Sequence, residues 1–269
     1  MIRPARPAST ICLLRDGRAG LEVLMVQRGL TARFMGGAWV FPGGMVDDLD
    51  SGDLARGVVS GSAAEAELRW IRAGLRELAE EVRIWITTDG AVVPPDGWLH
   101  DAEVYEEARD RGHRFDADRA AYFANWITPT MIPVRFDTRF FAVEVGHDAV
   151  PEPDPRELAD AEWLAPDAAM DMARNGERTI PFPTMKTLEH IGRFSTAAEF
   201  MDHARALDIV PPILPRGRIS EDGSIEVVLP GEPGYDELGD AEPNSGALSK
   251  AARAAQAGGH LTEVVDRES

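Results

Sequence analysis

Short apolar and alternating runs predict several strands along the chain. Within the first 41 residues these runs are separated by Arg15-Asp-Gly-Arg18 and by Gly36-Gly37, which favour turns. A hairpin near the N-terminus is therefore expected. The predicted strands are residues 10–15, 21–28, 39–41, 84–87, 138–145 and 162–165.

A long amphipathic helix is predicted for residues 62–83. Its apolar residues recur at intervals of four, three and four positions and so form one buried stripe, made of Ile71, Leu75, Leu78 and Val82. Ser62, with Glu65 three residues later, matches the capping-box pattern of a helix start. Further helices are predicted within 101–126, from Pro166 onward, and as a pair over 183–194 and 196–207.

The composition is that of an ordinary globular protein, with 269 residues of which 44% are hydrophobic and 28% charged. This length suits one domain with appendages, or two small domains. Beyond Pro230 the sequence is rich in Gly, Pro and acids and then in Ala, which predicts little fixed structure there. The single cysteine, Cys12, excludes an internal disulfide and a metal site built from thiolates.

Charge and hydropathy exclude two classes of partner. The chain carries 46 acidic and 28 basic residues, a net charge of −18, and a field of that sign repels nucleic-acid backbones and anionic membrane surfaces. No apolar run approaches the roughly 20 residues that cross a bilayer, and the run at 11–14 is too short for a signal-peptide core. We therefore expect a cytoplasmic protein that binds neither nucleic acid nor membrane.

Three carboxylates of the long helix indicate its chemistry. Glu77, Glu80 and Glu81 lie within about 60° of Glu77 on one helical face, so their charges repel one another. Solvent can screen that repulsion, in which case the three residues form a solvated acidic face. Alternatively, a bound cation can neutralise it. Mg²⁺ favours such oxygen ligands because it shares its octahedral shell with waters and substrate phosphates. A metal-assisted phosphoryl reaction is the functional alternative.

The combination of Pro42-Gly-Gly44 with Arg76-Glu-Leu-Ala-Glu-Glu81 resembles the Nudix box, G-x5-E-x7-R-E-U-x-E-E-x-G-U with U aliphatic. Three features depart from that pattern. Gly44 and Arg76 are 32 positions apart where the box has 14, which implies an insert of 18 residues. The first box glutamate has two candidate positions, Asp50 counted from Gly44 and Leu68 counted from Arg76, and the box glycine is replaced by Arg83.

The resemblance implies a role for each matching residue. Glu80 and Glu81 would ligate the metal, and Glu77 would be a further ligand or would orient the attacking water. Arg76 would hold a carboxylate in its rotamer, and the Gly44 carbonyl would contact the metal. The implied reaction is hydrolysis of a diphosphate linkage that depends on Mg²⁺ or Mn²⁺.

The resemblance also implies the fold, an α/β/α sandwich with a mixed sheet. The Nudix domain would span residues 5–210, with its box split between 41–44 and 76–84. A helical insertion is expected at about 100–127 and a helical pair at the end of the domain. Residues 211–269 would form a loosely ordered C-terminal extension.

The segment from Arg28 to Gly44 points to a substrate. Arg28, Arg33, Gly37 and Phe41 fall in register with R-S-x3-R-x3-G-x3-F-P-G-G, a pattern of coenzyme-A-hydrolysing Nudix enzymes, although Gly29 replaces the serine. Arginine forks suit the ribose 3′-phosphate of coenzyme A. The segments 126–129 and 135–141 are also similar to the long-insert branch, the nucleoside diphosphate-linked moiety X motif nineteen proteins. The expected substrate-binding residues are Arg28, Arg33, Phe41 and Arg135.

The function implied is hydrolysis of coenzyme A or acyl-coenzyme A to 3′,5′-ADP and a 4′-phosphopantetheine fragment. A Nudix enzyme that uses ADP-ribose or another nucleoside diphosphate derivative is one alternative. Another is a non-catalytic Nudix module that binds a nucleotide or a protein. Arg83 and the missing first glutamate of the box leave this alternative open. The expected partner is a small nucleotide-containing substrate, and a homodimer is left open.

Overall fold

A mixed sheet of eight strands organises the chain. The computed structural model describes residues 3–32, 35–90, 97–219 and 225–239. The strand order is β10-β7-β8-β1-β2-β3, with β4 also paired to β1 and β9 to β2. β1 pairs in parallel with β8 and antiparallel with β2 and β4. These strands are β1 Arg6–Gly17, β2 Gly20–Arg28, β3 Trp39–Val40, β4 Gly43–Met45, β7 Ala121–Ile127, β8 Phe136–Glu144, β9 Leu158–Leu164 and β10 Pro212–Ile213.

Helices and two small strand pairs complete the described part of the chain. β5 Val59–Ser60 pairs with β6 Phe115–Asp116, and β11 Arg216–Ile219 pairs with β12 Ile225–Val228. Asp48–Ser51 and Ala117–Arg119 form 3-10 turns. The α-helices are α1 Asp53–Val58, α2 Glu65–Val82, α3 Ala102–Asp110, α4 Pro166–Arg174, α5 Phe182–Ile191, α6 Ala197–Arg205 and α7 Tyr235–Leu238.

The sheet lies between two hydrophobic cores because successive side chains of a strand point to opposite faces. Along β1, Ile11 and Leu13 belong to the core that contains the apolar stripe of α2. Cys12 and Leu14 belong to the second core, with side chains of α5 and α6 such as Leu188 and Phe200. The predicted α/β fold with a mixed sheet between helices is confirmed. No helix in the described ranges is long and apolar enough to cross a membrane.

Two local predictions of helix and strand were wrong. Residues 121–127 form strand β7, so the helical part of the insertion is α3 and the 3-10 turn after it. Aromatic residues such as Phe123 and Trp126 suit a buried strand, and sheet pairing decided their conformation. Residues 84–87 contribute an isolated bridge from Thr87 rather than a strand.

The start of α2 also differs from its prediction. The helix begins at Glu65 after Ala64, which gives it no side-chain cap. The backbone N–H of Ser62 donates to Asp118 Oδ1 (2.7 Å), and so does the Ser62 hydroxyl (2.8 Å). The Ser62 N–H is therefore paired with Asp118 rather than with the Glu65 carboxylate, which instead accepts from Arg56 Nε (2.9 Å) and Arg72 Nη1 (2.6 Å).

The C-terminal extension has regular structure within its described residues, which are 211–219 and 225–239. β10 adds to the edge of the main sheet at β7, so the predicted domain boundary at residue 210 falls before a strand of that sheet. The Tyr235 hydroxyl donates to the Leu214 carbonyl (2.8 Å), and Arg216 Nη1 donates to the Tyr235 carbonyl (3.0 Å). Residues 220–224 and 240–269 of the segment predicted to be loosely ordered lie outside the described residues.

Candidate active site

The two halves of the glycine and glutamate pattern meet at the start of β4. The backbone N–H of Gly43 donates to Glu81 Oε2 (2.9 Å). A Cβ atom built on Gly44 would lie 2.4 Å from the Glu77 carboxyl carbon, so any side chain at position 44 would displace this carboxylate. Glycine at position 44 therefore lets the β4 backbone approach the acidic face of α2 without moving the Glu77 carboxylate.

Arg76 forms hydrogen bonds with three carboxylates next to this contact between β4 and α2. Its buried guanidinium donates to Asp50 through Nε (3.0 Å) and Nη2 (3.2 Å), a two-pronged contact typical of arginine. Its Nη1 donates to Glu77 Oε1 (3.0 Å) and to Glu80 Oε1 (2.9 Å). The predicted role of Arg76 in holding a carboxylate thus has a direct geometric counterpart.

Asp50, rather than Leu68, takes the place of the first acidic residue. Asp50 is fully buried and paired with Arg76, whereas Leu68 packs in the core on the α2 side of the sheet. Spacing from Gly44 made Asp50 one of two candidates, because the sequence could not show where the insert lies. The structure locates the insert between Asp50 and α2, where it forms α1 and β5.

Burial and mutual repulsion make the carboxylates harder to ionise. Desolvation raises the pKa of Glu77 to about 7, with a further contribution from Glu80. Desolvation, and then the charge of Glu77, raise the pKa of Glu81 well above its usual value. Desolvation also raises the pKa of Glu80 despite its bonds to Arg76. Exposed Glu157, which the sequence analysis missed, adds negative charge to both Glu77 and Glu81.

The raised pKa of Glu77 predicts how the stability of the metal-free protein depends on pH. The folded state holds the Glu77 proton at a pH where the unfolded chain, with a glutamate pKa near 4.3, has released it. This contribution is complete below about pH 4.3 and is lost as pH rises through about 7. Relative to Glu77→Gln, whose amide does not ionise, the parent should therefore lose stability between pH 5 and 8.

Thermal melts of both proteins in EDTA across that range test this expectation. Groups that do not interact with Glu77, such as His190 with its lowered pKa, titrate alike in both proteins and cancel in the difference. A parent that gains stability relative to Glu77→Gln as pH rises would contradict the sign.

The donor set suits a cation that keeps most of its waters. Glu77 and Glu81 are electrostatic neighbours, while Glu80 accepts from Arg76 and from the backbone N–H of Asp101 (2.9 Å). Among the residues described, no three His, Cys, Asp or Glu side chains converge as a ready metal site. Mg²⁺ needs only one or two protein carboxylates alongside water and phosphate, so the Glu77–Glu81 pair fits it.

Of the four predicted substrate-binding residues, the structure brings Arg28 to the carboxylates. The positive charge of Arg28 lowers the pKa of Glu81, although burial outweighs it. Arg28 Nε is buried and has no hydrogen-bond partner within the described part of the chain. The next residue, Gly29, donates its N–H to the carbonyl of Glu157 (2.7 Å). The end of β2 therefore lies beside the acidic cluster.

Phe41 and Arg135 make contacts within the fold, and Arg33 is not described. Phe41 is buried and packs edge-on against Phe140, with ring centroids 6.3 Å apart. The buried Arg135 guanidinium donates to the carbonyls of Thr128 (2.9 Å) and Arg3 (2.8 Å). Arg33 lies outside the described residues. Core packing and backbone hydrogen bonding account for the contacts of Phe41 and Arg135.

Comparisons with known proteins identify the family of the chain. A family model described as the NUDIX domain matches residues 4–182, well over half of the chain. The chain belongs to the Nudix hydrolase family. Nudix hydrolases act on pyrophosphate bonds and generally use divalent metal ions.

Two relatives illustrate the extent of the similarity. The crystal structure of a NUDIX hydrolase from Alicyclobacillus acidocaldarius is 28% identical and covers 78% of this chain and 100% of its own, with a TM-score of 0.66. Nudix hydrolase 7 from Caenorhabditis elegans is 28% identical over 180 residues, or 64% of this chain. The chain spans 56% of the length of that curated relative.

The position of the Nudix box glycine requires a left-handed backbone conformation, which glycine adopts without strain and Arg83 does not. Arg83 ends α2 in the left-handed region, with φ 57° and ψ 33°, where glycine is the usual helix-terminating residue. The Arg83 guanidinium forms an ion pair with Glu152 and lies over the Trp98 ring, 5.4 Å from its centroid. These side-chain contacts offset part of the backbone cost.

Two substitutions at position 83 separate the effect of the side-chain contacts from that of the backbone conformation. Arg83→Gly and Arg83→Ala both lose the ion pair, but only alanine keeps a Cβ in the left-handed conformation. Arg83→Gly should therefore exceed Arg83→Ala in free energy of unfolding by about 1–2 kcal/mol. Urea denaturation of both variants measures the difference, and equal stabilities would show that position 83 bears no backbone strain.

Proposed function

We propose that this Nudix protein hydrolyses a diphosphate linkage in coenzyme A or acyl-coenzyme A, using Mg²⁺ or Mn²⁺. The observation that carries the proposal is the excess of negative charge where β4 meets α2. The charge of half-buried Glu77 acts on buried Glu81, Glu157 adds negative charge beside both, and Arg76 is already shared with Asp50 and Glu80. A divalent cation would neutralise this cluster.

Each residue of the cluster has a separate task in this proposal. The bound cation neutralises phosphate charge and lowers the pKa of a bound water. Glu77 and Glu81 hold the cation, while Arg76 fixes Glu77 and Glu80 in their rotamers. Glu157 is the exposed carboxylate beside Glu77 and Glu81, a position that suits a proton acceptor in contact with solvent.

The choice of coenzyme A rests on the arginines before β4. Arg28 has the charge and the position to contact a phosphate next to Glu81. Arg33 belongs to the same sequence pattern, and its spacing from Arg28 suits a contact with a different group, the 3′-phosphate. ADP-ribose and other nucleoside diphosphate derivatives share the diphosphate but lack that phosphate group.

A substrate screen with product identification tests the proposal. Coenzyme A, ADP-ribose, NADH and nucleoside triphosphates are incubated with the protein and Mg²⁺ or Mn²⁺, and Glu81→Gln serves as the control for contaminating hydrolases. We expect coenzyme A and water to give 3′,5′-ADP and 4′-phosphopantetheine. Preferred cleavage of ADP-ribose to AMP and ribose 5-phosphate would replace the substrate assignment. Hydrolysis of none of them, with nucleotide binding intact, would favour the non-catalytic module.

A further inference from the structure

The insertion helix α3 contacts the Nudix box at two points one helical turn apart. At its start, the backbone N–H of Asp101 donates to Glu80 Oε1 (2.9 Å). Four residues later, the Tyr105 hydroxyl donates to Asp50 Oδ1 (2.7 Å). Because Arg76 bonds both Asp50 and Glu80, these contacts close a ring of hydrogen bonds through the box.

Tyr105 is fixed deep in the structure. Its side chain is 1% exposed, and its ring packs edge-on against Phe115 with centroids 6.5 Å apart. Its hydroxyl also lies 3.1 Å from the Arg72 carbonyl of α2. The hydroxyl is thus held between α2 and the carboxylate of Asp50 by packing from the insertion.

Asp50 depends on all of its donors because its carboxylate is fully buried. It accepts from Arg76 at both oxygens, from Tyr105, and from the backbone N–H of Asp47 (2.8 Å). Loss of one donor leaves a buried charge partly unsatisfied, so the carboxylate shifts toward the donors that remain. Arg76 is bound to Asp50 through two nitrogens and follows that shift.

We propose that Tyr105 is a positioning residue of the box. Its hydroxyl orients Asp50, Asp50 orients Arg76, and Arg76 sets the positions of Glu77 and Glu80. The inference rests on the proposed function in one respect, that these carboxylates form part of a divalent-cation site. It makes the insertion helix part of the active-site scaffold.

Mn²⁺ binding by the full-length protein alone provides the test. Tyr105→Phe keeps the ring and removes the hydroxyl. Its Mn²⁺ affinity, measured from the electron paramagnetic resonance signal of unbound Mn²⁺, should fall roughly three- to tenfold. This is less than the roughly 10–100-fold loss typical of groups that bond a metal ligand directly, because Tyr105 acts through Asp50 and Arg76. The matched control is Tyr235→Phe, which removes the hydroxyl bonded to the Leu214 carbonyl and should leave the affinity unchanged.

The same Tyr105→Phe substitution made in an Asp50→Asn protein shows whether Tyr105 acts through Asp50. If it does, Tyr105→Phe should add little to the loss already caused by Asp50→Asn, whereas independent effects would multiply. Turnover on any substrate of the parent should show the same pattern, with kcat lowered and KM little changed, since Tyr105 contacts no substrate in this scheme.

The outcomes separate this inference from the proposed function. Weaker Mn²⁺ binding by Tyr105→Phe, with no tested substrate hydrolysed by the parent, supports the inference and overturns the function. Unchanged Mn²⁺ affinity in a folded Tyr105→Phe protein overturns the inference, as do multiplying losses with Asp50→Asn. A parent that binds no Mn²⁺ overturns it too.

Discussion

Glu81→Gln should lower turnover by roughly two orders of magnitude or more, and it should raise the melting temperature of the metal-free protein. The amide keeps the shape of the side chain but removes a negative charge from the proposed cation site. In the metal-free protein the charged form of Glu81 is disfavoured by burial and by Glu77, so a neutral side chain relieves both costs.

Glu80→Gln should lower turnover similarly but differ in its effect on stability. Glu80 accepts a hydrogen bond from Arg76 Nη1 (2.9 Å), and the charge of Arg76 offsets part of its burial cost. An amide weakens that charge-assisted bond while it relieves repulsion, so the metal-free melting temperature should change little. The structure therefore predicts different effects of the two substitutions on metal-free stability, which the sequence pattern does not distinguish.

Steady-state kinetics at saturating Mg²⁺ and melts in EDTA measure both expectations. Glu67→Gln is the matched control, since Glu67 belongs to the same helix but lies about 15 Å along its axis from Glu77. Turnover within about threefold of the parent for both Glu80 and Glu81 variants would remove the box carboxylates from the mechanism.

The parts of the fold that the sequence predicted are those with strong local periodicity. The apolar stripe of α2 comes from residues within a few turns of one another, and β1, β2 and β8 are apolar or alternating runs. Residues 121–127 lack such a signal. Their aromatic side chains can be buried by a helix or by a strand, and pairing with β8 and β10 decides for the strand.

The candidate site divides in the same way. The residues Gly44, Arg76, Glu77, Glu80 and Glu81 could be named from the chain because each occupies a fixed place in a short pattern. Asp50 could not be chosen over Leu68, because the pattern does not say on which side of the acid the insert lies. Glu157 and Tyr105 reach the box from distant segments with no motif of their own, so tertiary structure alone reveals them.

Arg28 and Arg33 should have different effects on substrate preference. Arg28 lies beside Glu81, so Arg28→Ala should lower kcat/KM for every diphosphate substrate. Arg33 is outside the described residues, and its expected contact with the 3′-phosphate rests on the sequence pattern. Arg33→Ala should therefore lower kcat/KM for coenzyme A by roughly 1.5–3 kcal/mol, about ten- to a hundredfold, the scale of a hydrogen bond to a charged group.

Dephospho-coenzyme A lacks the 3′-phosphate. Measuring kcat/KM for both forms of the coenzyme on the parent and on Arg33→Ala gives a thermodynamic cycle between the side chain and the phosphate. The parent should prefer coenzyme A to the dephospho form by a factor similar to the loss in Arg33→Ala, and that variant should lose the preference. Arg28→Ala should lower both activities, and Arg18→Ala, which changes an exposed arginine in the β1–β2 turn, should lower neither. A parent that hydrolyses both forms equally would reject the 3′-phosphate contact. Parallel losses in Arg33→Ala would do the same, and either result would favour ADP-ribose-like substrates.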